Sequence, residues 1–254
     1  MKRPRVFDGL AGEAYVIVRE RILRGELAMG QAISRRKLAA ELGMSFLPVS
    51  EAFLRLEHEG LLESRPRAGT RVRLPTEEDV RGQYMVREAL EVKSAMLFAE
   101  VATPSERTDL LRLAARVDTL SALPDSNRLL YLSLHEKLHW SIAESTRCQA
   151  LCDALSGTSA LASTWLCVAR LRAPDGPRHN HQDLVKILGS GNVQAAGEAM
   201  RHHIQSGLAN TLARLAPYFQ LREKYADTFS RAPGRQLPFQ SLVADASVTE
   251  PASA

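Results

Sequence analysis

Residues 135–139 read HEKLH. Two histidines four apart share one face of a helix, so His135 and His139 can both approach a single divalent ion. A glutamate after the first histidine is also how zinc proteases place the base that activates water. Two ligands do not make a site. Two further candidates, His181 in HNHQDLVKIL and His203 in MRHHIQSG, stand on separate later segments, so the spacing along the set is 4, 42 and 22 residues. His202 adjoins His203 but projects about 100° around a helix from it. His179 precedes the His181 helix in a loop, and His58 falls in the first third of the chain, where surface exposure is expected. Protease chemistry requires a third ligand close downstream. The chain continues WSIAEST, without a histidine at that spacing, and then QALCDALSGTSALASTWLCVARLRA, without a glutamate. Four imidazoles suit Zn²⁺ or Ni²⁺ and disfavour Mg²⁺ and Mn²⁺, which prefer oxygen. Glu136 is then a solvated neighbour or a fallback carboxylate ligand.

The elements that must hold these residues are mostly helical. Beyond residue 75, Thr76-Glu-Glu-Asp79 is a capping box opening a long amphipathic helix through GQYMVREALEVKSAMLFAEVA. Thr103-Pro104-Ser105-Glu106 starts a second helix, running to about Ala122. HEKLH lies in a third, from about Ser126 to Ser145, and a fourth is expected from about Gln149 to Arg172. After the loop Pro174-Asp-Gly-Pro177, residues Asn180 to Leu188 and Asn192 to Leu215 read as helical. The sum is a six-helix antiparallel bundle. Past about Gln220 the chain turns Pro-, Ser- and Ala-rich, and disorder is expected there.

The first third has another character. Residues 1–75 hold 14 Lys+Arg against 9 Asp+Glu, a net of +5, whereas the remainder holds 19 against 20, a net of −1. The whole positive excess therefore lies where a polyanion would be met. A helix is expected from about Ala14 to Leu23. Ser34 caps RRKLAAEL, which stops at Gly43, and a short Met44-Ser45 turn leads into FLPVSEAFLRLEHEGLL. Pro48 fits the first turn of that helix, Leu54 and Leu56 mark its apolar side, and Gly60 stops it. LLESRPRAGTRVRL then reads as a hairpin around Arg67-Ala68-Gly69. Two short helices at a tight turn followed by a basic hairpin describe a winged helix-turn-helix.

The chain is 254 residues long, 45% hydrophobic and 24% charged, which suffices for real cores. No apolar run approaches the ~20 residues of a membrane span, and the N-terminus lacks the apolar region of a secretory signal. Cys148, Cys152 and Cys167 cannot all pair and form no C-x-x-C; Cys148 and Cys152, four apart in a helical pattern, read as small buried hydrophobes. A reducing cytoplasm is the expected location, with no membrane association.

In order and detail the chain resembles the GntR family of bacterial transcription regulators, in the branch with an all-helical FCD (FadR-like) C-terminal domain. ILRGELAMGQAIS resembles the family lead-in. RRKLAAELGMS followed by PVSEAFLRLEHEGLLESRPRAGTRV is similar to the family pattern nearly position by position, and VREALEVKSAMLFAE resembles the helix that begins FCD domains. The resemblance spans about residues 14–215. It implies a mainly α protein with three parts: a winged helix-turn-helix at 10–75, an FCD-type antiparallel bundle at 76–220 and a tail at 221–254. It also implies a homodimer that binds a double-stranded DNA operator with inverted-repeat symmetry and responds to a small organic acid.

The resemblance also assigns residues. Arg36 matches a family arginine that contacts DNA, and Gly69 matches the wing tip, with Arg65, Arg67, Arg71 and Arg73 placing charge on the wing. Phe46, Leu47 and Ser50 occupy DNA-touching positions where the family usually carries Arg, Thr and Arg, so arginine readout of bases from this helix is not expected. Metal-binding FCD domains use an Asp and a His four apart, then two histidines on following helices. Here His135 stands in the Asp position, followed by His139, His181 and His203. Arg87 matches the arginine of the first FCD helix and is a candidate partner for an effector carboxylate; a salt bridge to Glu91, four residues on, is the other reading. Arg170 and Arg172 are weaker candidates. A metal-dependent HEKLH hydrolase with an accessory DNA-binding domain is the alternative class.

Overall fold

The computed structural model describes residues 9–65, 69–121, 128–155 and 180–224. The chain divides into two compact units, one of residues 1–75 with 217–254, the other of residues Thr76–Ala216.

The first unit contains helix α1 (Leu10–Leu23), strand β1 (Ala32–Ile33), α2 (Arg35–Leu42), α3 (Phe46–His58), β2 (Leu62–Arg65) and β3 (Gly69–Val72). Helix α1 starts four residues before the expected Ala14. Ser34 caps α2 by accepting from the Lys37 amide, and Gly43 ends it in the left-handed region at φ 64°, where a side chain would be strained. Helix α3 packs against both α1 and α2. It does so through Val49, Ala52, Phe53 and Leu56, at the i, i+3, i+4, i+7 spacing of a single apolar stripe. Leu54, expected on that side, is exposed instead. Residues two apart lie about 200° around a helix, so Leu54 and Leu56 cannot share a face.

The sheet order is β1-β3-β2, antiparallel throughout, with Arg65 opposite Gly69 at the hairpin end and Glu63 opposite Arg71. Strand β1, two residues long, has no periodicity to betray it in sequence. Its pairing of Ala32 with Arg71 and Ile33 with Thr70 makes β3 the central strand. The hairpin is tied to the helices by one polar network: Arg35 donates to Glu57 at 2.7 Å, and to Ser64 and Thr70 at 3.1 and 3.3 Å. Residues 66–68, which include Arg67 and Ala68 of the expected hairpin turn, lie outside the described residues.

The second unit contains α4 (Glu77–Val101), α5 (Pro104–Ser121), α6 (Arg128–Glu144), α7 (residues 149–155), α8 (His181–Leu188) and most of α9 (Val193–Lys224). The Thr76 box forms, Thr76 Oγ1 accepting from the Asp79 amide and Asp79 from the Thr76 amide, both at 2.9 Å. Thr103 and Glu106 make the matching box before α5. Helix α5 packs against α6 and α8, and α4 against α6 and α8. Helix α9 passes the expected stop at Leu215 and includes Pro217, which withholds an N–H from the Ala213 carbonyl. Residues 156–179, with much of the expected fourth helix, Cys167, Arg170, Arg172 and His179, lie outside the described residues, as does the tail from 225. No helix among the described residues is long and apolar enough to cross a membrane.

Candidate metal centre and DNA-reading surface

The four sequence-selected histidines come from three helices of the second unit, and their rings gather in one cluster. Helix α6 supplies His135 and His139, α8 begins with His181, and α9 supplies His203. His139 Nε2 lies 3.3 Å from His135 Nε2 and 3.3 Å from His203 Nε2. One ligand atom from each of these three residues lies within 4.8 Å of the others. The His181 ring is 5.0 Å from His135 and 5.1 Å from His203, centroid to centroid, so it borders this trio as the fourth member. Glu136 is not in the converging group. HEKLH thus contributes its two imidazoles to the cluster and not its carboxylate.

The spacing fits a metal. Tetrahedral bonds of about 2.0–2.1 Å place neighbouring ligand nitrogens about 3.3–3.4 Å apart, which is the separation seen at His139. The tautomers fit as well. The Glu91 carboxylate, on α4, sits against His139 Nδ1 within hydrogen-bond reach. A carboxylate only accepts, so Nδ1 donates and Nε2 keeps the lone pair that a metal requires. Asp118, on α5, accepts from His181 Nδ1 at 2.7 Å and from the His181 and Gln182 amides at 3.0 Å each. One carboxylate thereby caps α8 and orients the ring at its first residue.

The electrostatics agree with this. His139 and Glu91 are almost completely buried. Burial opposes a charge on Glu91, yet Arg87 and His139 outweigh it and bring its pKa down to about 2. Burial, and after it the neighbouring imidazoles, hold His135 well below the usual histidine range, so it stays in the neutral form that ligates. Partial burial works against Asp118, and the amides and ring of α8 overcome it and lower its pKa.

Arg87 is the residue for which the sequence left two partners open. It is buried, donates to Glu91 at 2.7 Å and lies 5.0 Å from the centre of the Tyr84 ring. Its partner is therefore Glu91, and the chain Arg87–Glu91–His139 runs from α4 to the histidine cluster. Neither Glu91 nor Asp118 was selected in sequence as part of the centre. Their histidines lie 48 and 63 positions away, and no local pattern marks such a pair. A separate groove of about 690 Å³ runs between α4 and α9, lined by Tyr84, Met85, Val92, Met96, Ile204 and Leu208 among others; none of the four histidines lines it.

In the first unit, Arg36 is exposed on α2, Phe46 and Leu47 are exposed at the start of α3, and Arg65 is exposed on β2. Gly69 opens β3 at φ 77°, a conformation that favours glycine. Two expected DNA contacts are placed differently. Arg71 is buried, on the central strand opposite Glu63 and 3.7 Å from it; sheet neighbours on both sides enclose it. Ser50 is half-buried with its hydroxyl shielded from solvent, because it lies between the inner and outer faces of α3. Arg73 is half-buried.

Comparison with known proteins agrees with both halves. The profile of bacterial regulatory proteins of the gntR family matches residues 10–72, and the FCD domain profile matches residues 83–206. The chain is 28% identical over 192 residues to a probable D-xylose utilization operon transcriptional repressor of Paenarthrobacter nicotinovorans, covering 75% of this chain and 83% of the relative. It is 24% identical over 223 residues to the HTH-type transcriptional repressor RspR of Escherichia coli K12, covering 86% and 92%. The crystal structure of a GntR transcriptional regulator from Rhodococcus superposes with a TM-score of 0.64 at 22% identity, covering 80% of this chain and 97% of that one. These relatives are named as transcriptional repressors, and the hydrolase alternative finds no support among them. The chain belongs to the GntR family, a DNA-binding winged helix-turn-helix followed by an FCD domain, and is a transcriptional regulator.

Proposed function

We propose that the FCD domain is a metal-dependent sensor, in which His135, His139, His181 and His203 hold a Zn²⁺ or Ni²⁺ ion and a small organic acid binds beside it. The observation that carries this reading is the pair of 3.3 Å Nε2 separations, with carboxylates fixing the outward nitrogens of His139 and His181. When bound, the ion supplies a positive point of attachment for an acidic effector. The chain's own groups set the rest. Arg87 holds Glu91 ionised, Glu91 and Asp118 present the ring nitrogens, and the cluster spans α6, α8 and α9, so occupancy biases the packing of three helices at once. Because Arg87 is engaged by Glu91, an effector carboxylate would reach it only by displacing that pair.

The regulator acts as a cytoplasmic homodimer on an inverted-repeat operator, since two-fold protein symmetry is mirrored in half-site symmetry. Arg36, Arg65 and Arg67 contact phosphates, and Gly69 forms the wing turn. Repression is the favoured direction, in line with the names of the two relatives. The effector shifts operator affinity through the difference in its binding to the DNA-competent and DNA-incompetent states. The test is operator binding by full-length protein, titrated with a panel of small carboxylic acids, with metal present and after chelation. An acid that changes affinity only in the metal-loaded protein supports the proposal. An acid response that survives complete chelation removes the metal from the mechanism.

A further inference from the structure

The outer side of α3 carries three exposed apolar side chains, with Glu51 and His58 exposed among them. Phe46, Leu47 and Leu54 are 52%, 66% and 59% exposed, while the opposite face is already spent on the core through Val49, Ala52, Phe53 and Leu56. Single exposed apolar residues are ordinary; Leu47 and Leu54, seven apart, share one side of the second helix of a helix-turn-helix, with Phe46 at its first turn about 100° around from Leu47, and this helix is placed where the major groove docks. The same face has no arginine. Arg55 pairs with Glu59 and lies 4.0 Å from the centre of the Tyr15 ring, so it is turned toward α1; Glu51 and His58 share the row of Leu47 and Leu54. Guanine readout by a bidentate arginine is therefore not available from this helix.

Resting on the DNA-binding reading above, we infer that α3 reads thymine 5-methyl groups, with Phe46, Leu47 and Leu54 as the contacting side chains. Thymine alone presents a methyl group in the major groove, and apolar side chains are its natural complement. Phe46 and Leu54 are eight residues apart, about 12 Å along the helix, so the contacts span roughly three to four base steps of ~3.4 Å each. Charge around the patch selects DNA as its occupant: Arg36 and Lys37 on α2 and Arg65 on the wing are exposed beside this helix-turn-helix, a setting that attracts phosphate. The arginines then hold the helix in the groove while these apolar side chains choose the bases.

The experiment uses full-length protein and an operator selected from a random duplex pool, in which each thymine is replaced in turn by uracil. This removes the methyl group and leaves base pairing intact. The selected half-sites carry thymine at two or more of the steps facing α3, and uracil at those steps weakens binding about fourfold each, the value of one methyl-sized group removed from water. Leu47→Ala abolishes the sensitivity at one step, and Phe46→Ala at another. Both residues are exposed, and unchanged thermal unfolding of the variants confirms an intact fold. Half-sites without thymine, or affinity unchanged by uracil at every step, overturn the inference while leaving DNA binding in place. Phe46→Ser and Leu47→Ser variants that change the oligomeric mass but keep wild-type base preference identify the patch as a protein-docking face, and also overturn it. Failure of the wild type to bind any duplex defeats the DNA-binding reading itself.

Discussion

Arg35 and Glu57 in the DNA-binding unit and Arg87 and Glu91 in the helical unit form ion pairs of the same length, 2.7 Å. The first pair is 26% and 21% exposed; the second is 6% and 2% exposed. Equal geometry at unequal depth gives different physics. Water screens the first pair, and such pairs are worth about 1 kcal/mol or less. The second lies where a charge must be answered by a charge, and its loss strands the partner. The depth follows from the task. In the proposed reading, a surface that would meet phosphates keeps Arg36 and Arg65 in water, whereas a metal centre would need oriented, neutral imidazoles away from it.

The largest effect expected from this difference is in stability. Glu91→Ala should lower unfolding free energy by about 3–5 kcal/mol, because it leaves Arg87 buried and uncompensated, whereas Glu57→Ala should cost about 1 kcal/mol or less. Denaturant titration of both variants reads the contrast, and equal costs would break it. Next in size are the DNA contacts. Arg36→Ala and Arg67→Ala should each weaken operator binding by roughly 1–3 kcal/mol with metal content unchanged, and log affinity of the wild type should fall steeply with log salt. Wild-type binding by both variants, or salt-insensitive binding, would remove the phosphate contacts from the account.

The smallest effect is a difference in pH response between the units. Tyr15 donates to Glu59 at 2.6 Å, and burial, then Glu59, raise its pKa well above the ordinary phenol. The folded state keeps this proton longer than the unfolded chain, so the contribution is complete below about pH 10 and is lost as pH rises above it. Tyr15→Phe should flatten the alkaline decline in unfolding free energy; an unchanged alkaline limb would show that Tyr15 does not set it. The metal centre should fail on the other side, releasing its ion as pH drops below about 6 and imidazole takes up protons.

How much of this the sequence shows depends on the range of the interaction. Ser34, Gly43 and Thr76 act within four residues, and the helix boundaries they announce are where the structure has them. The gathering of the four histidines was also legible, through the helical spacing of His135 and His139 and the family resemblance that pointed to His181 and His203. Glu91 and Asp118 were not, because a carboxylate on a helix surface looks solvated until a partner 48 or 63 positions away is folded against it. Arg71 misled for a related reason: its charge suggested the surface, and only the pairing of β1 with β3, a two-residue event, shows that its strand is central. Leu54 was a local error, since the helical period alone excludes it from the face of Leu56.

The central claim is that HEKLH belongs to a histidine metal centre in a regulator. Its most direct test is elemental analysis of purified full-length wild type beside His139→Ala, His203→Ala and Glu136→Gln. The account predicts about one Zn²⁺ or Ni²⁺ per chain in the wild type, little in either histidine variant, and full occupancy in Glu136→Gln. Wild-type protein that stays metal-free after incubation with either ion, or histidine variants that keep full occupancy, would contradict it.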